Sequence, residues 1–138
     1  MKTNKTFNRG TIKFTFTDED GEVFSSFRMN PTDVNLMKRA EEVAARFDSI
    51  KEGFSENPTA DEIQTLNQEI EELINYLLGY EASRDIFGEV TATTISQDGD
   101  IFAFMVMDTI AEKIKPELQK RRLNMHKSIE KYTAKYEK

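Results

Sequence analysis

Residues 11–17 alternate strictly. Ile12, Phe14 and Phe16 fall on one side, and Lys13, Thr15 and Thr17 on the other. A period of two with β-favouring residue types predicts a strand. Asp18-Glu19-Asp20-Gly21 is turn chemistry, with Gly21 available for positive φ. Residues 22–29 resume as a second strand, expected to place Val23, Phe27 and Met29 on one face with Ser25 between them. Two strands alone are marginal in water. The phenylalanine face of this hairpin must therefore lie on a helix or on another chain. That requirement sets the fold class: an α+β chain, mostly helical, in which helices cover a small N-terminal hairpin.

The helices follow from apolar spacing. Asn30-Pro31 reads as a helix start, with Asn30 capping and Pro31 in the first helical position. Leu36, Met37, Ala40, Val43, Ala44, Phe47 and Ile50 then form one apolar stripe, and Gly53 is expected as a left-handed C-terminal cap. Thr59 and Glu62 form a capping box. Ile63, Leu66, Ile70, Leu73, Leu77 and Tyr80 recur at spacings of three and four, a seam of about two and a half heptads. Three or four heptads would be needed to argue for a free-standing coil, so packing within the chain is the expectation. Residues 81–87 read as a short helical turn stopped by Gly88, and residues 89–100 as a loop with room for a short strand.

From Ile101 the pattern is helical almost to the end, with Pro116 expected to kink it. Residues 101–107 are seven apolar residues in a row, which cover every face of a helix. Part of this run is expected in the core and part on a protein-binding or self-association face. The expected core includes Ile12, Phe14, Phe16, Leu36, Ala40, Val43, Phe47, Ile63, Leu66, Ile70, Leu73, Leu77, Phe104 and Ile110. The organisation is one domain of 138 residues. Residues 10–29 form the hairpin and 31–115 the helical body. Residues 116–138 form a basic helix expected to project and to order against a partner.

Charge is divided along the chain. Residues 1–112 hold 10 basic and 22 acidic side chains, whereas residues 113–138 hold 9 basic and 3 acidic. Such a split points to partners or self-association. With no cysteine, disulfides, thiolate zinc sites and cysteine nucleophiles are excluded. The first residues lack the apolar stretch of a secretory signal, and no run approaches the roughly twenty residues of a membrane span, so a cytoplasmic protein is expected.

Catalytic constellations lack their parts. His126 is the sole histidine and reads as a solvated tail residue. Asp18, Asp20 and Glu22 resemble a calcium loop only superficially, because Val23 stands where the sixth-position glycine belongs. The six glycines are isolated and form no phosphate loop. Neither an enzyme nor a bound cofactor or metal is expected. Lys120, Arg121, Arg122, Lys127, Lys131 and Lys135 could meet phosphates, with Tyr132 and Tyr136 stacking on bases. The acidic body opposes nucleic acid at long range.

The stretch Tyr76-Leu77-Leu78-Gly79-Tyr80-Glu81-Ala82-Ser83-Arg84-Asp85-Ile86-Phe87-Gly88 resembles a segment of the tail assembly chaperones of long-tailed phages and prophages of Gram-positive bacteria. Those proteins often follow this segment with a variable loop and an apolar helix, and end in a Lys/Arg-rich helix bearing a tyrosine, as in Lys131-Tyr132-Thr133-Ala134-Lys135-Tyr136 here. The likeness covers roughly the C-terminal two thirds and leaves out the hairpin. It implies a non-enzymatic factor of the bacterial host cytoplasm. Such a factor coats the tape measure protein, keeps it soluble and helps recruit tail tube subunits, as a homo-oligomer. A structural or adaptor protein of the same tail module, or a small nucleic-acid-binding regulator, are the alternatives. Candidate protein-binding residues are Ile101, Phe102, Met105 and Met107 in the apolar run, Leu66, Leu73 and Leu77 in the seam, and Lys120, Arg121 and Arg122 in the tail.

Overall fold

The computed structural model describes residues 2–136, the side chain of Tyr136 excepted. The base-stacking role considered for Tyr136 therefore lies outside the described residues. The chain is α+β: strands β1 (Ile12–Thr17) and β2 (Val23–Met29), then helices α1 (Val34–Gly53), α2 (Ala60–Leu78), α3 (Ser83–Phe87) and α4 (Phe102–Tyr136). It divides into two compact units, one ending at Phe104 and one starting at Met105.

In the first unit, β1 and β2 pair antiparallel, with Ile12 opposite Met29, Phe14 opposite Phe27 and Phe16 opposite Ser25. Asp18 closes the turn. Its carbonyl accepts from the Gly21 N–H, and its Oδ1 accepts from the backbone N–H groups of Asp20 and Glu22. Gly21 takes a φ of 79°, as a three-residue connection ending in a left-handed residue requires. The carboxylate that suggested a calcium ligand is thus occupied in holding the hairpin.

One residue of the hairpin departs from the alternation. The next pair after Phe16–Ser25 is Thr17–Val23, so Phe24 is an extra residue on β2. A bulge shifts everything beyond it by one residue, which exchanges the two faces. Ser25, Phe27 and Met29 are buried, but Val23 joins outward-facing Thr17 and is exposed. The expectation that Val23 shares their face is corrected by this bulge.

Helix α1 starts later than the Asn30-Pro31 reading. Asp33 is the cap, its carboxylate accepting from the N–H groups of Asn35 and Leu36. Asn30 instead closes the preceding turn, accepting through Oδ1 from the N–H and hydroxyl of Thr32. Gly53 remains helical and Phe54, with φ −75°, ends the helix in an extended conformation, so no left-handed cap forms there. Leu36, Val43, Phe47 and Ile50 are buried, whereas Ala40 is exposed, against expectation. Ala40 shares the outward flank of α1 with Met37 and Ala44.

Helix α2 is capped by Thr59, whose hydroxyl accepts from the Glu62 N–H at 3.2 Å. Its most buried residues are Ile70, Ile74 and Leu77; Ile63, Leu66 and Leu73 are half-buried and Tyr80 is exposed. The buried face is therefore rotated toward Ile74 relative to the heptad seam. Gly79, at φ 80°, ends α2, and its N–H donates to the Asn75 carbonyl. Asn75 Oδ1 then accepts the Ser83 N–H at 2.9 Å, which fixes the corner into α3.

Helix α3 joins this corner to the hairpin. Ala82, Ile86 and Phe87 are almost wholly buried. Ser25, itself buried, donates its hydroxyl to the Asp85 carbonyl at 2.9 Å. Gly88 takes φ 64° and ψ −133°, and a Cβ there would stand 3.0 Å from the Phe24 carbonyl oxygen. The segment carrying the sequence resemblance is thus a structural clasp on the bulge of β2. Beyond it, residues 89–101 fold into a tight loop with a single bridge between Ile95 and Ile101. Its carbonyls at Ala92 and Thr94 accept the first N–H groups of α4, from Ala103 and Phe102. This satisfies donors that a helix N-terminus otherwise leaves free.

Helix α4 starts in the first unit, where Phe104 meets Phe47, Phe54 and the Lys51 ammonium edge-on or over its ring. Phe104, Phe16 and Ile12, expected in the core, are half-buried. The helix passes through Pro116 without interruption. In the second unit, Val106 and Ile110 are buried. From Arg122 to Lys135 every residue is exposed, including Leu123, Met125, Ile129 and Tyr132. No helix among the described residues is long and apolar enough to cross a membrane.

Candidate protein-binding surfaces

Among the described residues, three surfaces group accessible apolar side chains. The first lies on α1, where Met37, Ala40 and Ala44 recur at spacings of three and four and all are exposed. The other flank of α1 is tied to α2 by polar contacts: Arg46 pairs with Glu69, and Tyr76 donates to Glu42 at 2.6 Å. That hydrogen bond, more than slight desolvation and the Glu42 charge, holds the Tyr76 phenol above its ordinary pKa. Tyr80 is also raised, by partial burial first and by the Asp85 charge second. These are properties of a helix pair with one polar seam and one uncovered apolar flank.

The second surface is a cavity of about 360 Å³ at the turn end of the hairpin, lined by Phe16, Thr17, Asp18, Glu19, Phe24, Val90 and Phe102. Its walls are aromatic. Phe24 lies with Phe102 at a centroid separation of 5.6 Å, Phe102 with Phe87 at 5.9 Å, and Phe16 with Phe24 at 6.5 Å. Its lining also holds Asp18 and Glu19, and no lysine or arginine.

The third surface is the distal part of α4. Leu118, Met125, Ile129 and Tyr132 follow one face, with Arg122 at its edge. Arg121 is half-buried and bonds Glu117 one turn back at 3.0 Å, which stiffens the helix without tying it to another element.

The residues expected to bind protein separate accordingly. Leu77 is buried and belongs to the core, because α2 turns that position inward beside Ile74; it is withdrawn as a surface residue. Leu66 and Leu73 stay half-exposed on α2. Phe102 is a wall of the cavity and Ile101 forms the loop bridge. Met105 and Met107 are half-buried, and Lys120 and Arg122 are exposed on the distal helix. The cavity escapes a reading of the sequence: Phe24 lines it only because of the bulge, and Val90 sits in a segment without periodicity. Among the described residues, no group of three or more histidines, aspartates or glutamates is arranged to hold a metal ion. Comparisons with protein-family models, with curated proteins and with solved structures found no match to this chain.

Proposed function

We propose that the chain is an assembly chaperone of a phage or prophage tail module. It binds the helical tape measure protein in the host cytoplasm, keeps it soluble and helps recruit tail tube subunits. The observation that carries this reading is the uncovered flank of α1, Met37, Ala40 and Ala44. Small residues at helical spacing let a second helix approach closely, and a methionine adapts to varied side chains. The resemblance of residues 76–88 supplies the class of client. No catalytic step is part of the proposal.

The test is co-expression with the tape measure protein of the same gene cluster. The chain is expected to shift that client into the soluble fraction and to co-purify with it. Ala40→Glu together with Ala44→Glu, both at exposed positions, should abolish this while the chain keeps its helical signal and melting temperature. A client that stays insoluble beside abundant folded chaperone, or that is rescued equally well by the double variant, would sink the reading.

A further inference from the structure

We propose that the aromatic cavity at the hairpin turn is a socket for the distal α4 helix of a second copy, so that copies join head to tail. The inference rests on the chaperone reading only for its purpose; its physical basis is separate. The socket offers Phe16, Phe24, Val90 and Phe102 as walls and Asp18 and Glu19 at the rim. The same chain supplies a ligand of matching character. Ile129 and Tyr132, 53% and 56% exposed, stand one turn apart on an accessible helix and share their face with Arg122, itself exposed.

Shape and charge select this occupant together. A cavity of about 360 Å³ admits a large aromatic or branched side chain. The charged residues of the lining, Asp18 and Glu19, are both acidic, while the distal helix carries mostly positive charge. A client helix without flanking basic residues would lose this complementarity. Exposed charge pairs contribute little and are screened by salt, so they orient the approach while the buried aromatic contact sets the lifetime. Because socket and ligand are different surfaces of one chain, each bound copy presents a fresh socket or a fresh helix, and the contact can propagate without closing.

The experiment is sedimentation velocity on the full chain over a concentration series at low and high salt. The average mass should rise with concentration at low salt and fall as salt is added. Ile129→Glu with Tyr132→Glu should weaken association by more than about tenfold, since truncating a buried aromatic anchor costs most of a contact. Val90→Glu with Glu19→Lys, both exposed and outside the core, should weaken it similarly. An equimolar mixture of the two double variants should form a one-to-one complex and nothing longer, because one intact socket meets one intact helix. A monomeric wild-type chain at high micromolar concentration and low salt overturns the inference. So does association lost in the helix variant but unchanged in the socket variant, which would mean that distal helices pair with each other. Neither result bears on client solubility in the co-expression assay, so this inference and the chaperone reading fail separately.

Discussion

Tyr76 and Glu42 meet in solvent across the α1–α2 seam, and that contact sets the alkaline behaviour of the pair. The phenol donates to a carboxylate, so losing its proton would break the hydrogen bond and place two negative charges together. A pKa raised above the unfolded value of 10.0 means that the stabilisation is present in full below about pH 10 and is lost as pH rises through the folded pKa. In an ultraviolet absorbance titration, the difference between wild type and Tyr76→Phe should show a phenol ionising above the ordinary value. Glu42→Gln should bring it down. An unchanged midpoint in Glu42→Gln would show that the bond does not form in solution. This pairing was not legible in the sequence, because it depends on the register of two helices whose partners are 34 positions apart. Thr59 as a cap was legible, since capping involves only the next three residues.

At the scale of elements, the clasp between α3 and β2 is held by conformation as much as by contact. Gly88 occupies backbone space that other residues rarely enter, and its missing side chain leaves room for the Phe24 carbonyl. Gly88→Ala should therefore cost about 2 kcal/mol or more, measured by urea unfolding, through strain and the 3.0 Å approach together. Gly21→Ala also meets positive φ but has open space around it, so its cost should be smaller. Equal losses would show that the close approach contributes nothing. Periodicity made β1, α2 and the stop at Gly88 readable. It misplaced Val23 because a single extra residue exchanges the faces of a strand, and nothing local to residues 22–29 announces a bulge. It misplaced the start of α1 because Asn30 and Asp33 are both capping types three positions apart. The choice between them is made by the turn at Asn30, where the Asp33 N–H donates to the Asn30 carbonyl. Ala40 fits the apolar stripe by spacing, yet spacing carries no information about which flank a neighbour covers.

For the molecule as a whole, the accessible part of α4 concentrates both charge and vulnerability. Residues 122–135 are helical but exposed on every side, and isolated helical turns of this length are marginal without tertiary support. Limited trypsin digestion at low protein concentration should cut first after Lys120, Arg121, Arg122, Lys127 and Lys131, before any basic residue of β1, β2, α1 or α3. Mass spectrometry of early time points reads this directly, and early cleavage at Arg39 or Arg46 would contradict it. The clasp has a different consequence, one of timing. Ser25 bonds a carbonyl 60 positions later, and closing a loop of that length costs about 4 kcal/mol in chain entropy before any contact offsets it. A hairpin forms in microseconds, but this one has no cover for its phenylalanines until Ala82, Ile86 and Phe87 arrive. During synthesis the first strands therefore emerge early and wait, and the ribosome must deliver residues through Gly88 before the hairpin acquires its permanent place.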